Sequence, residues 1–295
     1  MIPQTLKRDY DHCLGIARGH YENFPVASLL VPSALRPHVA AVYAFARRAD
    51  DFADEAPFEG RRLERLSAWQ AMLEAAAQGD ATHPVFRALA HTMSRFDLPA
   101  QLFSDLLSAF RQDVTVTRYA TFDELTDYCH RSADPVGRLV LRLFGYADTE
   151  RDARSDAICT GLQLANFWQD VAVDVTKGRI YIPIEDMDRF GVPEEEVLGG
   201  QVTGAFRDLM AFQVARTREL FAFGKPLCGQ VSGRLSLELK AVWLGGMGIL
   251  DAVERVGYDV FSRRPVHRTR DRARFVARVL MPGGFNRAYG NRTHG

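Results

Sequence analysis

The sequence lacks the residues that several common chemistries require. It has four cysteines, Cys13, Cys129, Cys159 and Cys228, and no CxxC pair, so reduced core thiols are expected. None of its eight histidines falls into HxxxH or HExxH spacing, and zinc chemistry has no support. No strand-linked GxGxxG is present; Gly245-Gly-Met-Gly248 lies in a helical stretch, so no NAD(P)H site is indicated. The longest apolar run, near Leu239 to Leu250, carries Lys240 and several glycines and is too short to cross a bilayer. The opening residues Met1-Ile-Pro-Gln-Thr-Leu-Lys-Arg-Asp9 contain no apolar h-region, and no signal peptide is expected. Convincing period-two alternation is missing too, which argues against exposed sheet.

Neither sign of charge dominates, with 37 basic against 37 acidic residues, but the distribution is uneven. From Arg263 onward there are nine arginines and one aspartate, a net of about +8. Such a run binds anionic lipid or nucleic acid, or simply solvates the C-terminus. No aromatic-interleaved basic motif accompanies it, so nucleic acid is not expected as a partner. The expected location is cytoplasmic, with peripheral contact at the inner membrane face as an alternative.

At 295 residues and 47% hydrophobic content the chain can bury a substantial core. Apolar residues recur every three to four positions, as in the stripe Leu102, Phe103, Leu106, Leu107, Phe110 and Val114, with Pro99 at its start. Other helices are expected at 5–18, 33–55, 60–78, 84–96, 122–145, 150–175, 203–224 and 231–257. A break is expected near Asp134-Pro135. The stretch 176–202, rich in glycine, proline and charge, reads as a long loop of the kind that often forms a lid. The expected architecture is a single all-α domain over residues 1–280, followed by a flexible tail over 281–295.

Two acid-bearing helical stretches carry the chemistry. In Tyr43-Ala-Phe-Ala-Arg-Arg-Ala-Asp-Asp-Phe-Ala-Asp54, Asp50 and Asp54 are four apart, with Arg47 three before Asp50. In Gln163-Leu-Ala-Asn-Phe-Trp-Gln-Asp-Val-Ala-Val-Asp174, Asn166, Asp170 and Asp174 form an i, i+4, i+8 row. Each set shares one helix face. Two carboxylates about 6 Å apart repel by roughly 2.8 kcal/mol at an effective dielectric of 20, so four in apolar surroundings call for cations. An oxygen-only donor set suits Mg²⁺, which keeps waters and is completed by substrate phosphates. A lone DxxxD is usually a solvated face, but both rows here have apolar flanks, including Val42 and Phe45 in the first and Phe167, Trp168 and Val171 in the second.

These paired rows, with Glu22-Asn-Phe-Pro-Val-Ala-Ser28, Asn166-Phe-Trp-Gln-Asp170 and Gly178-Arg-Ile-Tyr-Ile-Pro183, resemble the squalene/phytoene synthase family and, within it, its bacterial hydroxysqualene synthase branch associated with hopanoid pathways. The match runs from about His20 to about Arg274. The resemblance implies an isoprenoid-synthase-type helical bundle with a central active-site cavity. It implies that more than one Mg²⁺ is held by Asp50, Asp54, Asn166, Asp170 and Asp174, and that Arg47 contacts the substrate's diphosphate. Tyr43, Tyr128, Gln163 and Tyr258 match positions that line the prenyl cavity or approach the diphosphate; an amphipathic core role is the competing reading for each tyrosine. Lys177 and Arg179 either clamp the leaving group or are surface charge. Asp51, about 100° round the helix, supports Arg47 or Arg48.

Two departures from the family pattern narrow the expected reaction. Many relatives carry His-Ser-x-Ser-Phe where this chain reads His20-Tyr-Glu-Asn-Phe24, and many carry an acid where it has Val173. Both, with the missing nucleotide motif, point to ionisation of presqualene diphosphate and capture by water, giving hydroxysqualene. A functional link to an upstream presqualene diphosphate synthase would follow. The alternatives are a head-to-head synthase making presqualene diphosphate, phytoene or dehydrosqualene, and a non-catalytic assembly factor, for which loss of acids from the rows would be expected.

Overall fold

Pro37 lies in the first turn of the helix that carries the first acid row, where its missing N–H costs little. This helix, α2 (Arg36–Asp54), follows α1 (Lys7–Gly19) and is buried over most of its length, from His38 to Phe45 and again at Ala49 and Ala53. A helix apolar nearly all round belongs inside a bundle. α2 packs against α1, α3 (Arg62–Ala77), α4 (Pro84–Phe96), α5 (Ala100–Thr115) and α7 (Asp134–Leu143). Phe45 is fully buried, with the rings of Phe103, Phe86 and Trp69 at 5.3, 5.9 and 6.2 Å. The Trp69 indole N–H donates to the Phe45 carbonyl at 3.3 Å, so the largest ring on α3 is also satisfied.

The computed structural model describes residues 2–19 and 31–267, with Val279 and Phe285. Its helices group into two compact units, residues 1–116 with 127–152 and residues 117–126 with 153–295. Every regular element among the described residues is helical, as expected. The chain continues through α6 (Phe122–Ser132), and the expected break falls at Ala133, with Pro135 in the first turn of α7. α8 (Thr149–Thr176) carries the second acid row and is followed by α9 (Ile184–Phe190), α10 (Glu194–Leu198), α11 (Gly204–Gly224), α12 (Leu227–Gln230) and α13 (Gly233–Arg255). No helix among the described residues is long and apolar enough to cross a membrane.

The stretch 176–202 corrects the sequence reading: it is no open loop. Ile180, Ile182, Met187, Val192 and Val197 are all buried, and α9 and α10 start at Pro183 and Pro193. The backbone amides of Ile180 and Ile184 donate to the carbonyls of Thr117 and Tyr119, both at 3.0 Å. Phe167 stacks on Tyr181 at 3.8 Å, which ties the stretch to α8. Glycine and proline there punctuate two short helices, and the widely spaced apolar anchors escape a search for helical periodicity.

In the second unit Trp168 and Trp243 are buried, with indole N–H groups donating to Thr217 Oγ1 at 2.8 Å and the Phe221 carbonyl at 2.7 Å. Gly246 of α13 lets three helices close up: a Cβ there would overlap the Phe221 ring and come within 2.9 Å of Leu162 Cδ2. Its neighbour Gly245 has open space at the same position. Gly246→Ala should therefore cost about 1–3 kcal/mol through overpacking. Gly245→Ala should stabilise by up to about 1 kcal/mol through helix propensity. Urea denaturation of both variants checks the sign.

Candidate functional site

Along α2 the face that begins with Tyr43 continues through Arg47 and Asp50, as the 3.6-residue repeat requires. All three line a cavity of about 210 Å³, whose other walls are Val42, Ala46, Leu106, Phe110 and Val136. An apolar chamber with one arginine and one carboxylate in its wall can hold a hydrocarbon chain and contact an anionic group. Tyr43 is buried, and burial raises its hydroxyl pKa above the ordinary range, so it is a neutral hydrogen-bonding group.

Arg47 is the electrostatic centre of this row. One terminal nitrogen donates to Asp50 at 3.0 Å; the other lies 2.8 Å from Asp51 and 3.6 Å from Glu55. Its Nε is buried with no hydrogen-bond partner. A buried donor left unsatisfied is costly, and an arriving anion is one way to satisfy it. Asp51 turns to the arginines, reaching Arg47 and, at 3.6 Å, Arg48. Asp50 keeps 43% of its side chain open to solvent, yet its pKa is raised: desolvation pushes it up, Arg47 opposes this, and Asp54, Asp51 and Glu55 add to it. Asp54, the last residue of α2, is exposed.

In the second unit, Gln163, Asp170 and Asp174 are half-buried and Asn166 is exposed, all on α8. The backbone amides of Lys177 and Arg179 both donate to the Asp174 carbonyl at 2.9 Å, which fixes the two cations just past the row's last acid. Asp170 is engaged by a residue of the basic run, which sequence spacing does not relate to it. Arg264 grips it with two N–H groups, at 2.6 and 3.1 Å. The signal available in sequence was the pair Arg263-Arg264 soon after Tyr258.

Neither of the two other candidates lines that cavity. Tyr128 is buried on α6, in the first unit but not among the residues lining the cavity. Tyr258 sits in the left-handed backbone region at φ 61°, half-buried, with its hydroxyl pKa raised by burial. The segment Glu22–Ser28 and most of the basic run lie outside the described residues.

Among the described residues no group of three or more His, Cys, Asp or Glu side chains is gathered as a metal site. The two rows nonetheless suit a hard divalent cation. Their donors are oxygens only, and Asp50 and Asp170 each already hold a cationic arginine.

All-α helices with an apolar cavity and an Arg–Asp pair in its wall define a class of protein able to take an apolar group with an anionic one beside it. The chain belongs to the squalene/phytoene synthase family, whose model matches residues 17–272. A phytoene synthase from Arthrospira platensis is 33% identical over 275 residues, 89% of each chain. The crystal structure of squalene synthase HpnC from Alicyclobacillus acidocaldarius is 45% identical, with TM-score 0.84 over 87% of this chain and 97% of that one. A dehydrosqualene synthase in complex with ligand is 26% identical, with TM-score 0.80 over 94% of this chain and 96% of that one. Membership carries the family's general activity on prenyl diphosphates and its dependence on a divalent cation.

Proposed function

We propose that this chain is a head-to-head prenyl synthase that ionises a prenyl diphosphate on the way to presqualene diphosphate, phytoene or dehydrosqualene. The observation that carries this reading is the apolar cavity walled by Tyr43, Arg47 and Asp50. The relatives named as phytoene, squalene and dehydrosqualene synthases favour it over the other readings.

In this reading the hydrocarbon lies among Val42, Leu106 and Phe110, and the diphosphate meets Arg47, whose planar fork and fixed charge suit phosphate oxygens. Asp50 and Asp54 on α2, and Asn166, Asp170 and Asp174 on α8, are each a row that would hold Mg²⁺, which when bound supplies charge neutralisation for the departing diphosphate. The C–O bond breaks with its electron pair leaving on oxygen, and the resulting cation is sheltered by apolar walls. Tyr43, neutral at working pH, orients without acting as a strong base. Both acid rows are intact, which disfavours a silent assembly factor.

A second reading, water capture of the cation from presqualene diphosphate to give hydroxysqualene, is favoured by one observation. Val173, where many relatives carry an acid, is 44% exposed between Asp170 and Asp174. Turnover in H₂¹⁸O separates the two. Label in a C30 alcohol made without a nicotinamide selects water capture; an unlabelled C30 diphosphate, or an unlabelled C30 or C40 hydrocarbon, selects head-to-head synthesis.

Substrates this apolar are delivered from a lipid face, and the basic run from Arg263 offers contact worth about 1 kcal/mol per residue near anionic headgroups. Co-sedimentation should need anionic lipid and weaken with salt; equal binding to neutral vesicles would leave the run a structural role.

A further inference from the structure

Asp170 lies at the middle of the second acid row, and it is already occupied. Arg264 reaches it across 94 residues of chain with both arms of a bidentate pair, at 2.6 and 3.1 Å. The turn that carries Arg264 is held by three hydrogen bonds and a ring contact. Tyr258 N–H donates to the Val253 carbonyl at 3.0 Å, and Ser262 N–H to Asp259 at 2.9 Å. Phe261 packs on Phe206 at 5.2 Å, and the Gln169 amide donates to the Pro265 carbonyl beside Asp170 itself. The backbone is thus fixed while the guanidinium stays accessible: Arg264's side chain is 58% exposed and that of Asp170 only 27%. The first unit repeats the device, with Arg47 on Asp50 at 3.0 Å.

We propose that Arg264 is a resident counter-cation of the second acid row, displaced from Asp170 when a divalent cation binds and then engaging the diphosphate that accompanies it. This inference rests on the proposed role of Asp170 and adds a residue to the site. A carboxylate cannot give the same lone pairs to a bidentate guanidinium and to a metal ion. An exposed pair of this kind is weak enough for a dication to displace. Once released, a planar five-donor fork on a fixed turn next to a dication is well matched to phosphate oxygens.

The test is calorimetric titration of the full chain with Mn²⁺, with and without inorganic diphosphate, for wild type, Arg264→Ala, Arg264→Lys and the neighbouring control Arg263→Ala. Thermal melts establish that each variant is folded. Without diphosphate, Arg264→Ala should bind Mn²⁺ more tightly, by up to about fivefold, because the competing cation is gone. With diphosphate the order should reverse, Arg264→Ala binding the pair at least roughly tenfold more weakly, with Arg264→Lys in between. Arg263→Ala should match wild type in both. If Arg264→Ala also matches wild type in both while wild type binds Mn²⁺ with diphosphate, Arg264 is a surface pair and the inference falls alone. Should wild type take up no Mn²⁺ even with diphosphate, the assignment of the acid rows falls, and this inference with it.

Discussion

Replacing Asp50 or Asp170 by asparagine should lower turnover at least 10²-fold, about 2.7 kcal/mol of barrier, while leaving the protein folded. Asparagine keeps the shape and hydrogen-bonding reach of aspartate but removes the charge that a divalent cation requires. For Asp50, folding should survive because its charge is an electrostatic liability; for Asp170, asparagine keeps the hydrogen-bond acceptor that Arg264 uses. The Asp50 pKa is raised, so its ionisation opposes folding; stability is full at low pH and declines as pH rises through the carboxylate range. Asp50→Asn should therefore melt at or above the wild-type temperature at neutral pH, even as activity collapses. Asp51→Asn should be milder in turnover, because Asp51 is spent on Arg47 and Arg48. Wild-type-like turnover in both Asp50→Asn and Asp170→Asn would remove the acid rows from the chemistry.

Arg47→Ala should be comparably severe, with kcat/KM down at least roughly 10²-fold. The loss combines a missing diphosphate contact with three carboxyl groups, Asp50, Asp51 and Glu55, left without their shared cation. Arg47→Lys should recover only part of this, since an ammonium offers a point charge and no fork. The pH dependence separates the two losses. Without Arg47 the Asp50 pKa rises further, so the lost stability should return on acidification, while the catalytic defect at saturating Mg²⁺ should not. Differential scanning calorimetry across pH 4–8, roughly the carboxylate range and above, alongside steady-state kinetics, reads both.

Much of this site was legible in sequence because helices convert spacing into geometry. Tyr43, Arg47 and Asp50 are separated by four and three residues, and one face of α2 delivers all three to one cavity. The all-α class and the break before Pro135 follow from the same local rules. What escaped is what local spacing cannot encode. Arg264 meets Asp170 only because a turn after α13 brings it there, and no periodicity relates positions 94 residues apart. The helices α9 and α10 escaped for a different reason. Prolines and glycines that usually mark a loop here cap two short helices, whose burial depends on tertiary partners such as Tyr119 and Phe167.

The central claim, a cation-dependent prenyl synthase working from the Tyr43–Arg47–Asp50 cavity, is tested most directly by product analysis. Purified protein would be given radiolabelled farnesyl, geranylgeranyl and presqualene diphosphate, separately, each with Mg²⁺ and with EDTA, and without nicotinamide. The account predicts diphosphate release and a C30 or C40 product from at least one substrate with Mg²⁺, none with EDTA, and condensation of farnesyl or geranylgeranyl diphosphate if the head-to-head reading holds. Turnover of presqualene diphosphate alone would keep the claim and move it to the water-capture reading. No C30 or C40 product from any of the three substrates, or equal product in EDTA, would contradict it.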